Sequence, residues 1–237
     1  MSPETFAQEL QHLLGSELVA VVLYGSAAAG ERSEAYSDYN VMVVCRKLGI
    51  DELDLLSPLT SEWSSYGNPP PLLFTWDRLL QSADVFPIEL LDIKETHRML
   101  HGEDVLRSLS ISQGNLRFQL EHELKGKLIQ LRESYLLTGG RTKDVTDLMI
   151  QSLSAFQVLL RATLRFYEVR VPPRKRDAVA LLEKHLLFDL SVFREMQDVK
   201  DGSKVLMNGE CVAMFKRYLE TVEQVADLLN QLDRRRR

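Results

Sequence analysis

Cysteine is scarce in this sequence of 237 residues, which contains only Cys45 and Cys211. The two residues are far apart, and neither has a Cys or His neighbour at the spacing of metal ligands, which argues against a disulfide framework and against a zinc site. Two such thiols are typical of a protein that stays in a reducing compartment.

Long apolar runs are also missing. No run approaches the roughly 20 residues that a membrane-spanning helix needs, so the sequence predicts no membrane segment. The first residues, MSPETFAQELQHLL, are acidic and amphipathic, and they lack the basic region and small-residue cleavage site of a secretion signal. We therefore expect a cytoplasmic protein.

The charged residues that are present are unevenly distributed. Hydrophobic residues make up 45% of the chain and charged residues 27%, as in ordinary globular proteins. Residues 1–107 hold 7 Lys and Arg against 17 Asp and Glu, whereas residues 108–237 hold 22 against 17. This shift indicates two units with different roles, or two halves whose charges complement each other.

Helical and extended patterns alternate in the first half of the chain. Continuous apolar stretches rich in β-branched residues predict four strands: LVAVVLYG (18–25), NVMVVCR (40–46), LLFTW (72–76) and FPIELLDI (86–93). Helices are expected over 3–14, over 50–66 before the breaker cluster GNPPP, and briefly over 77–83. Such alternation predicts a mixed sheet covered by helices.

Only helical spacing is present in the second half. Apolar residues recur every three or four positions over 115–138, 145–167, 176–186, 189–197 and 208–233. Glycines at 139–140 and prolines at 172–173 end the two long runs. The sequence thus predicts an α+β protein with two domains, a sheet domain over 1–107 and an antiparallel all-α helical bundle over 108–237.

The stretch LYGSAAAGERSEAYSDYNVMVV, residues 23–44, carries the residues with the clearest chemistry. Gly25 allows a tight turn after the first strand, so that the following amides can face an anion, and Ser26 can add a hydroxyl hydrogen bond to a phosphate. Asp38 and Asn40 project from one face of the next strand because side chains alternate along a strand. Two carboxylates at these positions would hold Mg²⁺ beside a nucleoside triphosphate.

These residues resemble the signature of the DNA polymerase beta-like nucleotidyltransferase superfamily. That signature reads hydrophobic, Gly, Gly or Ser, roughly ten to thirteen residues, then acid, hydrophobic, acid, hydrophobic. The similarity is greater to the bacterial minimal-nucleotidyltransferase and kanamycin-nucleotidyltransferase group, whose members often read LYGSxARGExxxxSDxD. The segment HRMLHGEDVL (97–106) is similar to a stretch that often follows their last strand. A helical bundle after the catalytic domain is also usual in that group.

The resemblance implies an activity and roles for individual residues. Members transfer a nucleoside monophosphate from a nucleoside triphosphate to a hydroxyl acceptor with Mg²⁺ and release pyrophosphate. By this resemblance Gly25 and Ser26 hold the triphosphate, Asp38 binds a metal ion, and Asn40 occupies the position of a second metal ligand. Nothing in the sequence identifies the acceptor or indicates a nucleic acid, and a homo-oligomer is compatible with it.

The strand predicted over 86–93 offers two candidates for a third acid. The family places this acid in the middle of such a strand, which favours Glu89 as a metal ligand or general base. Asp92, near the end of the strand and on its other face, is the alternative.

Two positions depart from the family pattern. Asn40 replaces the second metal-binding acid, and Ala29 stands where many relatives have an arginine beside the phosphates. An amide oxygen can bind Mg²⁺, but it is neutral and holds a hard cation more weakly than a carboxylate does. Two hypotheses therefore stay open: a transferase with a weakened site, and a catalytically inactive nucleotide-binding or protein-interaction module. A partner-binding member of a toxin-antitoxin pair is a third.

Overall fold

The computed structural model describes residues 1–28, 38–167, 169, 171–172, 175–186 and 188–236. The chain divides into two compact units, Met1–Ser112 and Gln113–Arg237. A mixed four-stranded sheet with helices occupies the first unit, and the described part of the second is helical. The predicted fold class is confirmed.

Four strands and four α-helices make up the described part of the first unit. The strands are β1 (Leu18–Tyr24), β2 (Asn40–Cys45), β3 (Leu72–Thr75) and β4 (His97–Gly102), and the helices are α1 (Pro3–Leu14), α2 (Ile50–Ser65), α3 (Trp76–Gln81) and α4 (Pro87–Glu95). The strand order is β3-β2-β1-β4. β1 runs antiparallel to β2 and β4, while β2 and β3 are parallel, so the sheet is mixed as predicted.

Both faces of the two central strands, β1 and β2, are buried. On one face Val21 and Leu23 of β1 pack with α1 and α2, whose largest contribution is the fully buried Trp63. On the other face Ala20 and Val22 pack with α3, α4 and the segment after β4. Burial on two sides explains why β1 and β2 are continuous apolar runs and do not alternate with polar residues.

One predicted strand is wrong, because residues 86–93 lie mainly in α4. Pro87 takes the first helical position, where its missing N–H costs nothing, and Glu89 lies in the first turn, where a negative charge suits the helix dipole. Pro87, Leu90 and Ile93 are buried at a spacing of three residues, which is a helical period. A short apolar run fits either period, and the fourth strand is instead β4.

A glycine allows β4 to pair closely with β1. Gly102 has a φ of 77°, lies opposite Ala20, and leaves no room for a side chain, since a Cβ there would lie 2.1 Å from the carbonyl oxygen of Val19. Two residues later, Oδ1 of Asp104 accepts a hydrogen bond from the backbone N–H of Leu106 at 3.1 Å. The Gly-x-Asp residues of HRMLHGEDVL thus have structural roles.

We expect Gly102→Ala to lower the free energy of unfolding more than Gly67→Ala does. Gly67 has a φ of 83°, but a Cβ there would meet nothing within 4 Å. Both variants bear the cost of a left-handed alanine, about 1–2 kcal/mol. Only Gly102→Ala adds a steric overlap, worth roughly another 1–3 kcal/mol. Urea denaturation of the two variants measures the difference, and equal losses would contradict the described pairing.

The second unit is arranged around its second helix. Its helices are α5 (Gln113–Thr138), α6 (Thr142–Phe166), α7 (Lys175–Leu186), α8 (Ser191–Lys200) and α9 (Asn208–Arg236). α6 packs against each of the other four, and Phe156 of α6 contacts the rings of Phe193 in α8 and Tyr218 in α9. Burial raises the pKa of the Tyr218 hydroxyl, which lies 3.1 Å from Ser152 Oγ. None of the described helices is both long and apolar enough to cross a membrane.

Gly126→Ala should stabilise the second unit. Gly126 lies inside α5, and a Cβ there would meet nothing within 4 Å. Alanine in place of an interior helical glycine gains about 0.5–1 kcal/mol. Gly140→Ala is the matched control, because that site is equally open but has a φ of 75° and should lose stability. Thermal denaturation gives both shifts, and a destabilised Gly126→Ala would show that this position is not an open helical site.

Candidate functional site

The predicted phosphate-binding turn and the start of β2 meet at one end of the sheet. β1 ends at Tyr24, which lies directly opposite Asn40, the first residue of β2, and opposite His97, the first residue of β4. Because β2 and β4 both run antiparallel to β1, their first residues lie at the end where β1 leads into Gly25 and Ser26. Three of the predicted site residues are therefore brought to the same end of the sheet.

Gly25 forms the turn that the sequence predicted for it. Its φ is 77°, and its carbonyl oxygen accepts a hydrogen bond from the N–H of Ala28 at 3.1 Å. A Cβ at Gly25 would lie 3.5 Å from Nδ2 of Asn40, so the amide of Asn40 extends over the turn. Ala29 lies outside the described residues.

Asp38 and Asn40 stand on either side of Tyr39 at the start of β2. The ring of Tyr39 packs toward α2, with its centroid 6.1 Å from that of Trp63. Asn40 lies on the other face of β2, which it shares with Met42, and Asp38 immediately precedes Tyr39 and the strand. The Asp38 carboxylate is exposed and Asn40 is half-buried. An amide therefore lies beside the Gly25 turn, and an exposed acid lies two residues before that amide in the chain.

β4 contributes an imidazole to this end of the sheet, and its sequence HRMLHG contains no acid. Nδ1 of His97 lies 3.1 Å from the carbonyl oxygen of Lys94, and Nε2 lies 3.3 Å from Oδ1 of Asp104. The ring thus connects the start of β4 to the segment that follows the strand. Tyr24, between His97 and Asn40, is half-buried, and burial raises its pKa. Sequence reasoning did not select His97 because it missed β4.

The two candidates for the third acid lie on α4. Glu89 is exposed in its first turn, and Asp92 is half-buried near its end. The argument that selected Glu89, a position in the middle of a strand, is therefore wrong, and the same holds for Asp92 as its alternative. The proposed metal or base role of Glu89 keeps no support from strand geometry.

The described residues at this site do not form a two-metal centre. Within the part of the chain that the structure describes, no three His, Cys, Asp or Glu side chains gather where they could hold a metal ion. Among the residues that the structure describes there, the oxygen donors at the start of β2 are the carboxylate of Asp38 and the amide oxygen of Asn40. Mg²⁺ often binds through one or two carboxylates and takes its other ligands from water and substrate phosphates, so this set fits one ion that arrives with a nucleotide.

The fold is similar to that of a solved nucleotidyltransferase. The chain matches the crystal structure of spectinomycin adenyltransferase AAD(9) from Enterococcus faecialis, determined with ATP and spectinomycin, with a TM-score of 0.55. The match covers 93% of this chain and 98% of that chain at 12% sequence identity. This chain has a nucleotidyltransferase fold. No protein-family model and no curated protein sequence matches it.

The likeness extends what the motif alone indicated. The sequence resemblance to the nucleotidyltransferase superfamily covers residues 18–107, whereas the structural likeness covers 93% of the chain and so includes both units. At this level of identity it concerns the fold, and the residues at the site carry the argument about chemistry.

Proposed function

We propose that this nucleotidyltransferase-fold protein transfers a nucleoside monophosphate from a nucleoside triphosphate to a hydroxyl acceptor. The observation that supports the proposal is the meeting of the Gly25 turn, Ser26 and the start of β2 at one end of a sheet with this fold. The adenyltransferase that shares the fold was crystallised with ATP, which makes ATP the first nucleotide to test.

Each residue at the turn has a task in this proposal. The backbone at Gly25 brings amide groups close to the triphosphate, and the hydroxyl of Ser26 donates a hydrogen bond to a phosphate oxygen. The exposed carboxylate of Asp38 is the remaining acidic ligand for Mg²⁺ bound to the nucleotide. When bound, the ion would neutralise charge on the phosphates during transfer.

A nucleotide-binding protein without transfer activity is the second candidate, and the position of Asn40 favours it. The amide nitrogen of Asn40 extends over the Gly25 turn, where it can donate a hydrogen bond to a phosphate oxygen directly. A neutral amide also avoids the repulsion that a carboxylate exerts on a triphosphate. Such a site binds the nucleotide with little dependence on metal ions.

Asp38→Ala should abolish transfer if Asp38 binds the catalytic metal. The assay incubates the purified chain with labelled ATP, CTP, GTP and UTP and with Mg²⁺ or Mn²⁺, and it follows pyrophosphate release and self-modification. Loss of the metal ligand removes several kcal/mol of transition-state stabilisation, or roughly a hundredfold or more in rate. Asp54→Ala, at an exposed acid in α2, is the control and should retain the rate. Retention of activity in Asp38→Ala would make the metal assignment wrong.

Asn40→Asp separates the two candidates through the metal dependence of binding. If Asn40 binds phosphate directly, calorimetry should give the natural chain the same affinity for ATP in EDTA and in Mg²⁺. The added charge of Asn40→Asp should then weaken binding in EDTA by about tenfold, and Mg²⁺ should restore it. A natural chain that binds ATP only with Mg²⁺ contradicts the second candidate. If Asn40→Asp releases pyrophosphate and the natural chain does not, the natural chain is a degenerate transferase.

A further inference from the structure

Asn68, in the turn after α2, connects that turn to the start of β2. The residue is 7% exposed. Oδ1 accepts a hydrogen bond from the backbone N–H of Tyr39 at 3.0 Å, and Nδ2 donates one to the carbonyl oxygen of Trp63 at 3.3 Å. Because backbone groups use both ends of the amide, its orientation is fixed.

The hydrogen bond from Tyr39 extends the edge of β2 beyond the end of its neighbour. β3 pairs with β2 from the pair Met42 and Leu72 onward, so the backbone of Tyr39 lies before the paired region. Asn68 comes from the turn that leads into β3, and its side-chain oxygen takes the place of a strand carbonyl. The start of β2 is thereby held by a side chain from a residue 29 positions away.

Hydrogen bonds connect the turn that carries Asn68 to residues of α2 and to the core. Gly67, with a φ of 83°, lets the chain reverse, and its N–H bonds the carbonyl oxygen of Ser64 at 3.0 Å. Nε1 of Trp63 donates to the carbonyl oxygen of Pro69 at 2.9 Å, and the indole is fully buried and stacked on Phe6 at 4.4 Å. The residues on both sides of Asn68 are therefore held by hydrogen bonds, and one of these bonds comes from the buried indole of Trp63.

We propose that Asn68 is a positioning residue, which keeps Asp38 and Asn40 directed toward the nucleotide. Its contact with the N–H of Tyr39 fixes the peptide that joins residues 38 and 39, while the ring of Tyr39 packs toward Trp63 on the opposite side. The two flanking side chains are thereby directed to the face of the Gly25 turn. This inference rests on the proposed function of the site.

Asn68→Ala and Asn68→Asp test the proposal together. At a temperature where circular dichroism shows each variant folded, Asn68→Ala should weaken ATP binding in Mg²⁺ by about tenfold or more, the usual loss when a supporting partner is removed. Hydrogen exchange at the Tyr39 amide should become faster. Asn68→Asp keeps an oxygen that can accept the hydrogen bond from the N–H of Tyr39, so this variant should bind ATP nearly as well as the natural chain. Its other carboxylate oxygen faces the carbonyl oxygen of Trp63 and cannot donate to it, so the variant should be less stable.

Thr75→Ala is the matched control. It removes one hydrogen bond of similar kind, from the N–H of Arg78 to Thr75 Oγ1 at 3.3 Å, and it lies opposite Cys45 at the other end of β2. It should leave ATP affinity and exchange at Tyr39 unchanged. If Asn68→Ala binds ATP like the natural chain, or if Thr75→Ala loses as much affinity, the inference is overturned while the proposed function stands. If the natural chain binds no nucleotide with or without Mg²⁺, the inference and the proposed function are both wrong.

Discussion

Burial of β1 on both faces is the constraint on which the first unit depends. β1 lies between β2 and β4, and its alternate side chains belong to two separate cores, one under α1 and α2 and the other under α3 and α4. The strand can satisfy both cores only if it is apolar throughout. The position of the end of β1 at Tyr24 is therefore fixed, and the Gly25 turn and the first residues of β2 and β4 lie next to it.

Much of the fold follows from local signals in the sequence. The apolar runs of β1 and β2 and the helical spacing of α1, α5 and α6 have long, clear periods, and the structure places these elements within a few residues of the predicted bounds. The prediction failed where the signal was short. Residues 86–93 fit two periods, and β4 is a half-buried edge strand whose sequence HRMLHG contains two histidines and an arginine. An edge strand buries less apolar surface and therefore shows a weaker pattern.

The arrangement of the candidate site was predictable where it depends on neighbours in the sequence. The Gly25 turn and the pair Asp38 and Asn40 have a spacing that resembles a known family, and the structure brings the turn and β2 together. Glu89 was chosen because of a predicted strand that is a helix in the structure, so the reason for giving it a metal or base role was lost with that strand. Asn68 gave no local signal, since its contact with Tyr39 spans 29 positions and exists only after folding.

The three prolines between Asn68 and β3 limit the pairing of this edge of the sheet with strands of other molecules. Pro69, Pro70 and Pro71 have no N–H to donate, so β3 does not extend toward the end of the sheet where Gly25 lies, and it is four residues long. β3 is an edge strand of the sheet. A short edge that follows prolines is a poor template for a strand of another chain, so the segment protects the sheet from aggregation by edge pairing.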